Sequence, residues 1–193
     1  MSYRWHESCS PGWKQQDNTF EFYLTKGIPG NCHSDNTPIE GIFEFKERQE
    51  VMGDMLDPGT YVWSADVETI SDKLVHAEYF SLFQIHDKRP NGRAPHGIQV
   101  RNGNIILICP ENVDYYVERY NGKLSISTKI HVEKNFVTVD YILNGINVKK
   151  LKSKLIGECF VKFGAYRWNA VCDVKQIYRN LRFERTTEPQ EDL

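Results

Sequence analysis

The sequence predicts an all-β fold, either a β-sandwich or a jelly roll, and two observations support this. Short runs with apolar residues at alternate positions recur from Gly41 onward, as expected of half-buried strands. Turn-forming residues separate these runs at intervals of roughly 8 to 12 residues, which is typical of sandwiches and barrels. The runs are IFEFKERQEV, TYVWSADVET, YFSLFQIH, GIQVRNGNIILI, KLSISTKIHV, NFVTVDYILNG, ECFVKFGAYR and VCDVKQIYRNLRF.

A single domain is expected, because 193 residues can bury a core of their own. Residues 1–40, rich in Gly, Pro, Asn, Asp and Ser, are predicted to wrap that core, and residues 186–193 to form a polar tail. Hairpin turns are predicted at 101–104, 133–135 and 144–145. The one helix candidate is short, around 70–76.

Composition argues against several classes of partner. Apolar residues make up 40% of the chain and its formal net charge is −2, so it has no general attraction to nucleic acid or to an anionic membrane. No apolar run approaches the roughly 20 residues that span a bilayer. The opening MSYRWHESCS lacks the apolar region of a signal peptide, and the compartment stays open. We expect a monomer.

The five cysteines include no CxxC pair, which argues against a zinc site. Cys9 and Cys32 form the one disulfide to consider, and Cys109, Cys159 and Cys172 are expected to be free thiols.

Three strands carry polar residues that share a face. Side chains at positions i and i+2 of a strand point the same way. Gln84 and His86 therefore lie together at the end of an otherwise apolar run, as do Arg48 and Glu50 in theirs.

The third such strand places Lys162 and Tyr166 on one face, with Gly164 between them where a ligand could approach the backbone. Each set alone has a simpler interpretation, because antiparallel strands normally carry polar residues on their solvent face. The functional prediction depends on the three sets occurring together.

Taken in order, the three segments resemble motifs of the jelly-roll polysaccharide lyases, which include the alginate lyases of family seven and the related glucuronan and heparin lyases. Those alginate lyases carry an R-S/T-E-L-R strand, a Q-I/V-H strand and a Y-F-K-A-G-V/I-Y-N-Q strand. Here RQE starts at Arg48, QIH at Gln84 and FVKFGAY at Phe160. The resemblance implies a concanavalin-like jelly roll with a concave substrate cleft.

The sequence also departs from those motifs. Met52 stands in place of the second arginine, Phe163 in place of the small alanine, and Arg167 and Trp168 in place of Asn-Gln. The third motif is closer to its heparin-lyase and glucuronan-lyase form. The resemblance therefore indicates the reaction type and leaves the substrate open.

The resemblance implies β-elimination from a uronic-acid-containing polysaccharide, so the expected partner is an anionic polysaccharide. No cofactor is expected, although a structural calcium ion stays open. The residues implied as catalytic are Arg48, Gln84, His86 and Tyr166. Those predicted to bind substrate are Lys162, Glu50, Arg93, Arg167 and Lys88.

Elimination requires a neutralised carboxylate, a base for the proton at carbon five and an acid for the oxygen that leaves carbon four. Gln84 and Arg48 suit the carboxylate. His86 either donates to that carboxylate or acts as the base for one epimer. Tyr166 is the natural candidate for the acid.

Tyr166 could also act as the base when the proton and the leaving group lie on the same side of the sugar ring. A free tyrosine has a pKa of about 10, so Lys162 or Arg167 would have to stabilise the phenolate. Glu50 is expected to hold Arg48 in position.

Weaker candidates surround these strands. The loop DKRPNGRAPHG is either a solvated surface loop or a lid whose basic residues grip flanking uronates, namely Lys88, Arg89 and Arg93. The next strand offers His96, Gln99 and Arg101. Possible sugar-stacking tryptophans are Trp5, Trp13, Trp63 and Trp168, with core packing favoured for Trp63.

Two other functions compete with the lyase. A glycoside hydrolase would need two carboxylates flanking the bond, and Asp66 and Glu68 share a face. A non-catalytic glycan-binding module would keep the cleft but would have no need of Tyr166 beside Lys162.

Overall fold

The computed structural model describes residues 4–8, 13–25, 46–71, 80–89, 94–109, 114–168 and 172–186, and within these ranges it contains fourteen β-strands and no helix. No helix in the described part of the chain could therefore cross a membrane. The strands are β1 (Trp5–Ser8), β2 (Lys14–Gln16), β3 (Thr19–Leu24), β4 (Lys46–Gly53), β5 (Gly59–Ile70), β6 (Phe80–Asp87), β7 (His96–Arg101), β8 (Asn104–Ile108), β9 (Tyr115–Arg119), β10 (Lys123–Val132), β11 (Phe136–Leu143), β12 (Ile146–Lys154), β13 (Cys159–Trp168) and β14 (Val174–Thr186).

The strands form two seven-stranded sheets, and the predicted all-β jelly-roll sandwich is confirmed. Sheet A has the order β1-β4-β13-β6-β7-β8-β9, and sheet B has the order β12-β11-β10-β5-β14-β3-β2. Neighbouring strands in both sheets are antiparallel throughout the described ranges. The helix candidate falls partly on β5, which ends at Ile70, and residues 72–79 lie outside the described ranges.

The core lies between the sheets and is formed by the apolar side chains at alternate positions of each strand. Trp63 is fully buried there, with its ring centroid 4.6 Å from that of Phe83 and 5.7 Å from that of Phe163. Val51 and Ile85 are also fully buried. Because these residues face inward, the polar residues between them on β4, β6 and β13 face outward from sheet A.

The three predicted hairpin turns are all present. Asn102 and Gly103 both have positive φ, at 48° and 74°, and Asn144 and Gly145 repeat this at 50° and 79°. Positive φ at both central residues is the signature of the two-residue turn that matches strand twist. In the third turn, Glu133 donates its backbone N–H to the Phe136 carbonyl at 2.8 Å.

The cysteine expectations are met where the structure describes them. Cys109 and Cys159 are buried free thiols, and Cys172 is a partly buried one. Cys9 and Cys32, the candidate disulfide, lie outside the described residues.

Candidate functional site

The three polar sets come together because β4, β13 and β6 are neighbours in sheet A. Residues directly opposite each other on paired strands point to the same face. Arg48 lies opposite Tyr166 on one side of β13, and Gln84 lies opposite Lys162 on the other. We call the resulting set the outer-face cluster, comprising Arg48, Glu50, Ser81, Gln84, His86, Lys162 and Tyr166.

A β-bulge aligns Tyr166 with the rest of the cluster. β13 has one residue more than β6 between the pair Phe163–Phe83 and the pair Tyr166–Ser81. Gly164 lies within this bulge and has a φ of 137°, a backbone conformation that other residues rarely adopt. β13 alternates without interruption against β4, which keeps Phe163 in the core and Tyr166 outward, and the extra residue relative to β6 brings Ser81 beside Tyr166.

Gly164 is required by the neighbouring strand. A Cβ at this position would collide with the Gln49 carbonyl oxygen and would lie 2.7 Å from the Glu50 Cα. It would also lie 3.1 Å from the ring of Phe22 in sheet B. Packing alone therefore accounts for a glycine here, and the expectation that it opens the backbone to a ligand stays a prediction.

Tyr178 of sheet B stabilises the bulge from the core side. Its hydroxyl lies 3.0 Å from the Gly164 carbonyl and 2.8 Å from the Leu82 carbonyl, and it is the donor to both. Tyr178 is fully buried, and burial raises the pKa of its hydroxyl well above the ordinary value. The hydroxyl keeps its proton and satisfies backbone acceptors at the irregular part of the sheet.

A buried ion pair forms the floor of the cluster. Lys162 Nζ lies 2.8 Å from Glu50 Oε2, and their side chains are only 7% and 2% exposed. Arg48 Nη1 is 3.7 Å from the same oxygen. Glu50 was expected to hold Arg48, but its closer partner is Lys162.

Arg48 contacts the proposed acid directly. Its guanidinium carbon lies 4.5 Å from the centroid of the Tyr166 ring. A cation over an aromatic face is attractive, and it also favours negative charge on the nearby hydroxyl. Arg48 is therefore a cation at the Tyr166 ring, and the phenolate-stabilising role predicted for Lys162 or Arg167 stays a prediction.

Gln84 and His86 form a hydrogen-bonded chain with Ser81. Gln84 Nε2 donates to Ser81 Oγ at 2.5 Å, and Gln84 Oε1 lies 2.5 Å from His86 Nε2. Because an amide oxygen can only accept, His86 must carry its proton on Nε2. The Nδ1 atom of a neutral His86 then holds a free electron pair.

The charge state of His86 follows from its surroundings. Burial, followed by the positive charges of Lys162 and Arg48, lowers the pKa of His86 from 6.5 to about 3. Its ring also stacks on Phe160, with centroids 5.7 Å apart and planes at 17°. His86 is therefore neutral at physiological pH.

The remaining predicted binding residues are not part of this cluster as described. Lys88 follows β6 and pairs with Glu158 at 2.6 Å, with both side chains about 60% exposed. Arg93 lies outside the described residues, and the side chain of Arg167 is not described although its backbone belongs to β13. Their roles stay predictions.

Arg89 has a structural role, and the binding role considered for it stays a prediction. It donates Nε and Nη2 to the two carboxylate oxygens of Asp87, at 2.7 and 2.9 Å. It also donates to the Lys154 carbonyl at 2.9 Å. Its side chain is 11% exposed and ties the end of β6 to β12.

The three candidates on β7 separate into two groups. His96 is fully buried between the sheets, where its Nδ1 lies 3.2 Å from the Tyr141 hydroxyl and its Nε2 lies 3.3 Å from the Val137 carbonyl. It is a core histidine and not a site residue. Gln99 and Arg101 lie on the outer face beside β6, joined by a hydrogen bond of 2.9 Å.

The two hydrolase candidates lie in the other sheet. Asp66 and Glu68 are on β5 of sheet B. Asp66 accepts from Asn180 and Glu68 accepts from Arg179, both at 2.7 Å. Neither carboxylate is near the outer-face cluster, which belongs to sheet A.

Three of the four tryptophans pack in or against the core, and the stacking role considered for the partly buried Trp5 and Trp13 stays a prediction. Trp63 is buried, as favoured. Trp5 meets the Phe163 ring edge-on at 4.9 Å, and Trp13 stacks on Phe20 at 5.6 Å. The side chain of Trp168 is not described.

Sequence reasoning missed Ser81 and Phe160, which contact Gln84 and His86. Ser81 has the opposite sequence parity to Gln84, and only the shift in register near Leu82 brings them to one face. No local signal marks that shift. Phe160 lies two residues before Lys162 on the same strand, so counting alternate residues could have placed it on the outer face.

Within the described ranges, no group of three or more His, Cys, Asp or Glu side chains is placed to hold a metal ion.

No protein-family model matches the sequence, and no curated protein does. Solved structures do match. An alginate lyase from Corynebacterium sp. is similar with a TM-score of 0.63 and 13% identity, over 93% of this chain and 83% of that one. The fold is that of the jelly-roll alginate lyases. The resemblance inferred from the three motifs is confirmed at the level of fold.

Two other matches show which kinds of protein share this fold. The alginate lyase AlyC3 in complex with dimannuronate is similar with a TM-score of 0.51 and 11% identity, over 74% of this chain and 73% of that one. A sialidase is similar with a TM-score of 0.58 and 10% identity, over 95% of this chain but only 17% of the sialidase. At these identities the similarity concerns the fold, and activity must be argued from the site.

Proposed function

We propose that this protein is a polysaccharide lyase that cleaves a uronic-acid-containing polysaccharide by β-elimination. The observation that carries the proposal is the convergence of Arg48, Gln84, His86 and Tyr166 on one face of three adjacent strands. The fold shared with alginate lyases supports it. Alginate is the first substrate to test, and glucuronan or a heparin-type glycan are the alternatives indicated by the third motif.

The uronate carboxylate is neutralised by Arg48 and Gln84. Abstraction of the proton at carbon five moves charge onto this carboxylate, so fixed donors lower the barrier. Arg48 supplies a planar cation, held by Glu50 and packed on Tyr166. The Gln84 amide now donates to Ser81 and would turn its donor to the substrate when the sugar binds.

His86 is the base for one epimer. Its Nδ1 electron pair takes the proton from carbon five, the bond from carbon four to its oxygen breaks, and a double bond forms between carbons four and five. The oxygen that leaves takes the proton of the Tyr166 hydroxyl. Transfer of a proton from imidazolium to phenolate then restores both groups. The bound carboxylate raises the pKa of His86, which strengthens the base when substrate is present.

For the other epimer, Tyr166 is both base and acid. A phenolate takes the proton from carbon five and returns it to the leaving oxygen on the same side. Arg48, 4.5 Å from the ring, is the cation that stabilises this phenolate.

Lys162 and Glu50 support the site electrostatically. Their ion pair is buried, and removing one partner would leave an uncompensated charge beneath the cluster. The positive charge of Lys162 acts on His86 and on an incoming carboxylate. We propose that side chains alone perform the reaction, that no cofactor is needed and that the protein works as a monomer.

The test is ultraviolet absorbance during incubation with alginate, glucuronan, a heparin-type glycan and a bacterial exopolysaccharide, each assayed separately. The new double bond conjugated with the carboxylate gives a rising signal, and the polymer that responds is the substrate. New reducing ends without a rise would contradict the proposal and favour hydrolysis.

A glycan-binding module is the second candidate. The match to 17% of a sialidase chain favours it, since it shows the fold as one part of a larger enzyme. Binding of the polymers without any cleavage would support this reading over the lyase.

A further inference from the structure

The outer face of sheet A extends much further on one side of Tyr166 than on the other. β13 has two strands on one side, β4 and β1, and four on the other, β6 to β9. Neighbouring strands lie about 4.8 Å apart, so β9 is roughly 19 Å from β13. A polymer lying across the strands would find most of its support on the β6 to β9 side.

A continuous row of side chains crosses those four strands. Each member lies directly opposite the next in strand register, so all of them share the outer face. The row is Tyr166, Ser81, Gln99, Ile106 and Tyr116. It starts at the proposed acid and ends on the edge strand β9.

Arg101 lies beside this row as a fixed cation. Its Nε donates to Gln99 Oε1 at 2.9 Å and its Nη1 donates to Asp114 Oδ2 at 2.5 Å. The side chains of Arg101 and Asp114 remain 33% and 29% exposed. A planar guanidinium that is fixed by an ion pair and one-third exposed to solvent is suited to hydrogen bonds with a further carboxylate.

Tyr116 ends the row with an exposed aromatic ring. The residue is 59% exposed, and its hydroxyl donates to Asn104 Oδ1 at 3.0 Å. This hydrogen bond holds the ring at its polar end. An aromatic surface fixed in this way provides a large apolar area at low cost in conformational entropy, and the apolar face of a sugar ring can pack on it.

We propose that the bound polyuronate continues from Tyr166 across β6 and β7 to β9, with Arg101 binding the carboxylate of a distal uronate and Tyr116 packing against a sugar further along. This inference rests on the proposed function and adds the direction of the chain and two binding residues. The ligand class is an anionic polysaccharide several sugars long.

The test compares long and short ligands. Arg101→Ala and Tyr116→Ala are made in the Tyr166→Phe protein, and their affinities for sodium alginate and for the alginate disaccharide are measured by calorimetry. We expect about tenfold weaker binding of the polymer for Arg101→Ala and about threefold for Tyr116→Ala. The affinity for the disaccharide should change much less, because two sugars at Tyr166 cannot reach Tyr116 on β9, roughly 19 Å from β13.

Two control variants match these changes elsewhere on the surface. Arg179→Ala removes an arginine paired with Glu68 on sheet B, and Tyr115→Ala removes the neighbouring exposed tyrosine, whose hydroxyl contacts Lys149. Both should bind the polymer like the parent protein. Arg101→Lys keeps a cation beside Asp114, so this variant controls for misfolding. It should still bind the polymer several-fold more weakly than the parent protein, because lysine lacks the planar fork of the guanidinium.

The outcomes separate the two claims. Unchanged polymer affinity in the Arg101 and Tyr116 variants, with cleavage by the wild-type protein intact, would overturn this inference and leave the lyase standing. Equal losses for polymer and disaccharide would also overturn it. Polymer binding that depends on Arg101 and Tyr116, in a protein that cleaves nothing, would support the binding path and overturn the proposed reaction.

Discussion

At the residue scale, His86 shows how environment decides a chemical role. The same imidazole on an exposed strand would titrate near its ordinary value. Here burial and two nearby cations keep it neutral, and the Gln84 oxygen fixes its proton on Nε2. A neutral ring with a free Nδ1 electron pair is suited to the role of base that we propose for it.

The charge state of His86 can be tested by nuclear magnetic resonance. The imidazole signal of His86, assigned with a His86→Gln variant, should not titrate between about pH 8 and pH 5, because its pKa is about 3. Addition of alginate to the Tyr166→Phe protein should raise that pKa, since the bound carboxylate favours the imidazolium. A titration centred near pH 6.5 in the free protein would contradict this account of the base.

Tyr178 tests how much the site depends on a residue that does not line it. Tyr178→Phe removes the hydroxyl that donates to the Gly164 and Leu82 carbonyls and leaves the ring packing in place. We expect a loss of about 1–3 kcal/mol in the free energy of unfolding, the cost of unsatisfied buried acceptors. We also expect kcat to fall more than KM changes, because the bulge positions Tyr166.

A matched control is Tyr141→Phe, which removes another fully buried hydroxyl, the one near His96. It should lower stability without lowering kcat. Equal effects of both variants on kcat would show that Tyr178 has no positioning role.

At the element scale, the bulge between β13 and β6 determines which residue of β6 lies beside Tyr166. A regular strand would place Tyr166 out of line with Ser81. The extra residue at Gly164 corrects the alignment, and it depends on a backbone conformation and a close approach to β4 that only glycine allows.

Gly164→Ala should therefore lower both stability and activity. We expect a loss of about 1–3 kcal/mol in the free energy of unfolding, from backbone strain and from the clash with Gln49 and Glu50. Chemical denaturation and the lyase assay measure the two effects. The control is Gly145→Ala, which also has positive φ but no neighbour within 4 Å of the new Cβ. It should cost about 1 kcal/mol and leave activity intact, and the same outcome for Gly164→Ala would contradict the role given to the bulge.

At the scale of the whole molecule, counting alternate residues predicted most of the fold but only part of the site. The parity of Gln84 and His86, and of Lys162 and Tyr166, followed from strand geometry. That β4, β13 and β6 are neighbours did not, because strand order depends on contacts distant in sequence. The same is true of the Lys162–Glu50 pair and of the Tyr178 hydroxyl. His96 could have been placed by the same counting, because its parity is that of the buried Ile98 and Val100 and not that of Gln99 and Arg101.

His96 makes stability depend on pH. Burial lowers its pKa from 6.5 to about 4, so the folded protein keeps it neutral while the unfolded chain binds a proton below about pH 6.5. The free energy of unfolding should therefore fall as the pH drops from 6.5 toward 4, by roughly 3 kcal/mol for this residue alone.

The measurement for His96 is urea denaturation at about pH 7.5 and about pH 4.5. His96→Gln can still accept from Tyr141 and donate to Val137 but does not titrate, so it should lose less stability between the two pH values. His86 contributes to the fall in both proteins in the same direction. An equal loss in both proteins would contradict the role of His96.

The most direct test of the central claim is Tyr166→Phe, assayed on the polymer that the wild-type protein cleaves. The change removes one hydroxyl. We expect the rate at which the unsaturated product forms, followed by absorbance, to fall by at least about a thousandfold, as for loss of a catalytic acid. Affinity for the polymer should stay within a few-fold of the wild-type value. Full activity in Tyr166→Phe would contradict an elimination at the outer-face cluster.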